Sequence, residues 1–138
     1  MKTSACPSLA VVLLFTLSIL TANAAEPSPW VGQYSDKKFL GGRAVFQLSI
    51  EQSGGAMQVT FDAAWADGHG AAPEADGSAK VSGNTLTFTF KDTFNNSGTG
   101  TVTRSGQDIV VSLNTTKVAD PRCLQFYGKN IKLKRVGK

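Results

Sequence analysis

From Trp30 onward this chain alternates apolar and polar side chains at every second position, and its alternating segments are joined by connections that are short and long by turns. Alternation with a period of two turns one face of a strand inward and the other outward. "RAVFQLSIE" aligns Ala44, Phe46, Leu48 and Ile50 against Val45, Gln47, Ser49 and Glu51. "TLTFTFKD" aligns Leu86, Phe88, Phe90 and Asp92 against Thr85, Thr87, Thr89 and Lys91. With "WVGQYS", "MQVTFDAAW", "SAKVS", "GTGTVTR", "DIVVSLNT" and "NIKLKR", the pattern predicts about eight strands, and no segment sustains a helical period.

The connections decide how those strands are arranged. "SGG", "SGN" and "SGQ" follow the second, fourth and sixth strands and read as tight hairpin turns. "DKKFLGG", "DGHGAAPEADG", "TFNNS" and "TKVADPRCLQFYGK" are longer. In an antiparallel meander, successive connections fall at opposite ends. One end is therefore pinched by short turns and the other carries the long loops. Such a meander most simply closes into an up-and-down β-barrel, which removes both exposed edges. A two-sheet β-sandwich is the alternative.

The first residues predict export. Lys2, the apolar run "LAVVLLFTLSIL" and the box Ala22-Asn23-Ala24 form the pattern of a cleaved secretory signal peptide, residues 1–24. The run is shorter than the ~20 residues that span a bilayer. The expected product is a single all-β domain, residues 25–138, periplasmic or secreted and not membrane-spanning. Its one cysteine is Cys123, which leaves no internal disulfide. An exposed free thiol is a liability in an oxidising compartment, so Cys123 is expected to be buried.

Charge and motifs exclude several functions. The formal net charge is +4, and Lys117, Arg122, Lys129, Lys132, Lys134, Arg135 and Lys138 crowd the C-terminal stretch beside a single acid, Asp120. These cations read as solvated groups along a strand edge, where they discourage aggregation. The strip is short and not interleaved with exposed aromatics, so nucleic acid is not an expected partner. The only histidine, His69 in "DGHG", reads as a solvated turn residue. One histidine and one cysteine make no zinc site. There is no P-loop or dinucleotide fingerprint, and Asp92 has no evident second acid for glycosidic chemistry. The chain is therefore expected to be non-enzymatic, with no cofactor or metal.

Binding candidates come from the open end. The inward rings Trp30, Tyr34, Phe46, Phe61, Trp65, Phe88 and Phe90 are numerous enough to fill most of a small barrel. Any pocket should be shallow, near the open end, and lined by Tyr34, Trp65, Phe90 and Asp92. Asp92 has two readings: a hinge whose carboxylate accepts N–H groups of its own loop, which is favoured, or a polar hook at the pocket mouth. The rim loops offer Phe39, Phe94, Asn95, Arg122, Phe126 and Tyr127, residue types that anchor interfaces. Equally, "CLQFY" can fold over and plug the mouth.

Trp30 starts the first strand at the closed end and Arg135 finishes the last strand there, placed to stack by cation–π attraction. This resembles the calycin barrels, the lipocalins, avidins and relatives, which pack a basic residue of the last strand across an early Trp. Those barrels usually show G-x-W, whereas this chain reads Trp30-Val31-Gly32. The resemblance implies the closed barrel and this one packed pair, and it transfers no ligand. The expected function is a binding module that recognises a protein or cell-envelope partner through its rim, in the manner of an inhibitor or immunity protein. Inhibition of a cationic lysozyme is disfavoured by the basic tail. The alternative is a calycin-type carrier of a small apolar or aromatic ligand in the barrel mouth.

Overall fold

A computed structural model describes residues 28–137; the expected signal peptide lies outside the described residues. The strands are β1 (Gly32–Phe39), β2 (Ala44–Ser53), β3 (Ala56–Trp65), β4 (Glu74–Ser82), β5 (Thr85–Asp92), β6 (Ser97–Ser105), β7 (Asp108–Lys117) and β8 (Ile131–Gly137). A short 310 helix, Pro121–Phe126, precedes β8. Each strand pairs antiparallel with the next and β8 returns to β1, which closes an eight-stranded barrel rather than a sandwich. This is the architecture of the calycin-like small barrels.

The closed end is built by hairpins with Gly54, Gly83 and Gly106 at φ of 62°, 60° and 62°. Positive φ at the first loop position alone is the type II′ pattern, which matches the twist of paired strands. The predicted alternation is realised: Phe46, Leu48, Ile50, Val59, Phe61, Leu86, Phe88, Phe90, Val102, Ile109, Val111 and Leu133 are buried inside. Thr87, Thr89, Thr99 and Thr101 are exposed outside. An apolar interior and a polar wall are the inverse of a membrane-spanning barrel. Among the described residues, no helix is long and apolar enough to cross a membrane.

Two glycines make room for the rings. Gly98 pairs with Phe90 and Gly100 with Phe88 across β5 and β6. A Cβ on Gly100 would stand 2.1 Å from Phe88 Cζ, and one on Gly98 would stand 2.8 Å from Phe90 Cε1. The rings lie over bare backbone, a recurrent device on sheets that must accommodate aromatics.

Local differences from the sequence reading have physical causes. β1 continues through "DKKF", where a register shift between Asp36 and Phe39 bends it toward the rim. β4 begins at Glu74, inside the expected loop, because Gly77 lets its backbone approach Thr89: a Cβ there would meet Thr89 O at 1.6 Å. The 310 helix is set by Asp120, whose side chain accepts from Arg122 N, and by Pro121 in its first turn. An Asp-Pro start is a helix signal that a periodicity search overlooks in so short a segment.

The expected Arg135–Trp30 stack is corrected. Arg135 lies 5.1 Å from the centroid of Tyr34, while Trp30 faces Arg104 of β6 at 6.0 Å. Arg135 Nη1 donates to Val31 O at 2.9 Å, and Nη2 donates to Pro29 O and Tyr34 Oη at 2.9 Å each. Gly32 opens this place, since a Cβ there would stand 2.7 Å from Arg135 Nη1. The guanidinium is drawn to backbone carbonyls at the start of the chain's first strand, and the indole is left to the neighbouring arginine.

Candidate functional site

At the open end, one buried carboxylate ties the loops together. Asp92 ends β5 with its side chain inward and is 5% exposed. Its Oδ1 accepts from Phe94 N and Asn96 N, both at 2.8 Å. Its Oδ2 accepts from Asn96 Nδ2 at 2.8 Å and from Tyr127 Oη at 2.5 Å. Asn96 is fully buried, and its Oδ1 accepts from Ala119 N at 2.8 Å and Asp120 N at 2.9 Å. Asn95, at φ 64°, takes the left-handed turn that brings these groups round. A buried carboxylate is tolerated only when its lone pairs are met, and here both oxygens are. The hinge reading of Asp92 extends further than expected: it anchors its own loop and, through Asn96 and Tyr127, the long connection from β7 to β8.

That connection seals the barrel. Phe126 and Cys123 are fully buried. Phe126 lies 5.1 Å from Trp65, and Tyr127 packs edge-on to Phe61 at 5.9 Å and Phe90 at 5.4 Å. Gly128 O accepts from Leu113 N at 2.9 Å, which ties the returning segment to β7. The question of the lone thiol is thereby answered: Cys123 is a small buried hydrophobe under the plug.

Burial pushes the Cys123 thiol from 9.0 up to about 11, with the negative charges of Asp92 and Asp120 adding to it. Tyr127 is also raised, by burial first and then by its hydrogen bond to Asp92. Tyr34 is raised by burial against the opposing pull of Arg135. In each case the folded protein keeps a proton that the unfolded chain releases earlier, so the stability these groups contribute is lost as pH rises. The Tm is expected to be flat from neutral pH to about 9 and to fall by several degrees between pH 9 and 11. Cys123→Ala should shallow that slope, as thermal scans across the range will show. A wild-type Tm independent of pH over that window contradicts the assignment.

Beside the plug lies a groove of about 610 Å³, lined by Arg43, Trp65, Asp67, His69, Arg122 and Gln125 among others. Trp65 is half-buried, with Phe126 on its inner side. His69 stacks on it, ring planes 13° apart at 5.2 Å, and bonds through Nδ1 to the Asp67 carboxylate. The flanking Gly68 and Gly70 take φ of 78° and 72° and carry the loop tightly over the indole, so His69 is exposed yet held. Arg43 stands 5.9 Å from the Trp65 centroid, its Nε donating to Leu40 O at 3.1 Å. Leu40 itself sits at φ 54°, a left-handed conformation uncommon for leucine, and turns the "LGG" loop so that Arg43 reaches the groove. Arg122 is gripped by Asp120, with Nη2 to Oδ2 at 2.6 Å, and lies 5.6 Å from the centroid of Phe94.

The residues singled out from the sequence separate into four places. Trp65 and Arg122 meet in the groove. Asp92, Phe126 and Tyr127 form the plug and its anchor, with Phe39 buried against Phe46 at 5.4 Å and Phe94 half-buried beneath Arg122. Asn95 is exposed at the tip of its loop. Tyr34 does not join the open end: its hydroxyl donates to Trp30 O at 2.8 Å, at the closed end. Arg43, His69 and Gln125 were not singled out as groove residues. Only Arg43 carried a signal, a cation directly after Gly41-Gly42 in an open-end loop. In comparisons of the chain with protein-family models, with curated proteins and with solved structures, nothing matches. Fold and site together define a plugged small β-barrel with a cation-edged aromatic groove on its open rim.

Proposed function

We propose that this protein is an exported, non-enzymatic binding module that recognises a protein or cell-envelope partner with its open rim, in the manner of an inhibitor or immunity protein. The observation that carries this reading is the groove itself: a partly buried Trp65 on a rigid barrel, edged by Arg43 and Arg122. Trp and Arg on an immobile scaffold are the side chains that dominate binding energy at interfaces. The stack with His69 and the bond from Arg43 to Leu40 order the groove in advance, which lowers the entropic cost of association. Carriage of a small ligand inside the barrel would need space that Phe46, Phe61, Phe90 and Tyr127 occupy with ring centroids 5.1–5.9 Å apart.

The test uses Arg43→Glu and Arg122→Glu, whose side chains lie on the surface. Affinity for a partner captured from an envelope extract of the exporting cell should fall at least tenfold in each, about 1.4 kcal/mol or more. The Tm should stay within a few degrees of wild type. Trp65 is one of two tryptophans and the other, Trp30, is buried, so the partner should also change the emission of Trp65. Undiminished capture by both variants would remove the groove from the interface.

A further inference from the structure

The wall formed by β8 and β1 carries charges that the rim does not use. Lys37, Lys38, Lys132 and Lys134 line a single groove of about 710 Å³ along the barrel seam, with Val136 beside them. All four lysines are exposed, and among the described residues none has a carboxylate within 4.0 Å. Two acids share the groove and each takes a backbone N–H, Asp36 Oδ1 from Lys38 N at 2.9 Å and Asp108 Oδ1 from Arg135 N at 3.1 Å, so the four lysines outnumber them two to one. Val136 is 59% exposed, the most exposed large apolar side chain among the described residues. Ser35, buried in the floor, has a hydroxyl with no hydrogen-bond partner. Asp62 and Glu74, which face each other across β3 and β4, bound this surface on its β2 flank, where Asp62 shares a smaller groove with Lys37 and Val136. Protection of a strand edge does not account for Lys134, which lies opposite Ser35 within the closed β1–β8 ladder, where no edge remains.

We propose that this wall docks the protein on an anionic bilayer surface, with the lysines against phosphate headgroups and Val136 at headgroup depth. Three features favour a lipid surface over a discrete anion or a protein carboxylate. The cations lie on two neighbouring strands, Lys132 and Lys134 at successive outward positions of β8 ~6.6 Å apart and Lys37 and Lys38 side by side on β1. They are all lysines, compact point charges suited to a diffuse field, and not the forked guanidinium groups that grip a single carboxylate. An apolar side chain, Val136, stands exposed among them, able to enter the headgroup layer.

Co-sedimentation of the exported protein with vesicles tests this. Phosphatidylglycerol vesicles should retain the protein, phosphatidylcholine vesicles should not, and high salt should release it. Each surface lysine neutralised should lower partitioning about fivefold, so Lys132→Gln/Lys134→Gln should lower it about 25-fold with Tm unchanged. Arg43→Glu, on the rim, should bind vesicles as the parent does, which separates this surface from the partner groove. Equal retention by both vesicle types, no retention by phosphatidylglycerol, or undiminished binding of the double variant overturns the proposal.

Discussion

Replacing Asp92 by alanine is expected to destabilise the fold by roughly 3–4 kcal/mol, the largest loss from any single polar side chain here. The carboxylate accepts from two backbone N–H groups, from Asn96 Nδ2 and from Tyr127 Oη. Truncation strips partners from Asn96, which is fully buried, and from a tyrosine hydroxyl under the plug. Hydrogen bonds to a charged group contribute about 1.5–3 kcal/mol each, but water admitted at the rim recovers part of the loss, so the sum falls well short of four full bonds. For a domain of this size the Tm should drop by about 15 °C. Tyr127→Phe removes only one of the bonds and should cost about 1–2 kcal/mol. A second readout locates the damage: Cys123 is fully buried in the intact protein, so a thiol reagent should label it slowly, and at least tenfold faster once the plug loosens. A small Tm change with Cys123 still protected would mean that the plug is held by Phe126 and the other packed rings alone.

The fold was largely legible in the sequence because barrels obey a short-range rule. Whether Phe88 points in or out is decided by its neighbours two residues away, and whether Gly83 makes a turn is decided by its own φ. Alternating short and long connections then fixed the two ends without knowledge of any distant contact. The site was less legible because it is made of distant contacts. Arg43, His69 and Arg122 come from three different connections and Trp65 from the end of β3, and only the closed barrel brings them side by side. The Asp92–Tyr127 bond joins positions 35 residues apart. Alternation showed Asp92 pointing inward and local turn chemistry gave it the N–H groups of its own loop, but neither named Asn96 Nδ2 or Tyr127 Oη. Arg135 illustrates the same limit at the closed end: its strand and end were read correctly, yet the choice between Trp30 and Tyr34 depended on the pocket that Gly32 leaves open.

The same dependence on paired positions predicts a second large effect, at Gly100. Adding one methyl there should destabilise the protein by about 2–3 kcal/mol, near the upper end of the cost of overpacking a core. The methyl would lie 2.1 Å from Phe88 Cζ and 2.4 Å from Cε1, so the ring itself must move, not merely the end of a flexible chain. It has little room to do so, since Phe61 lies 6.2 Å away on one side and Phe90 6.2 Å on another. Phe88→Leu alone should also cost about 1–2 kcal/mol, by leaving space where the ring was. If the two positions clash as the geometry requires, the double variant Gly100→Ala/Phe88→Leu should be more stable than the sum of the single losses by at least 1 kcal/mol. Strict additivity would show that Gly100→Ala acts through backbone freedom and not through the ring. Because Gly100 has no left-handed φ, alanine imposes no backbone strain there, and the effect should vanish when the ring is gone. Denaturant unfolding of the four proteins separates these outcomes, and it asks of the barrel core what its sequence pattern implies, that glycine on β6 is an inward-facing residue selected by the aromatic opposite it.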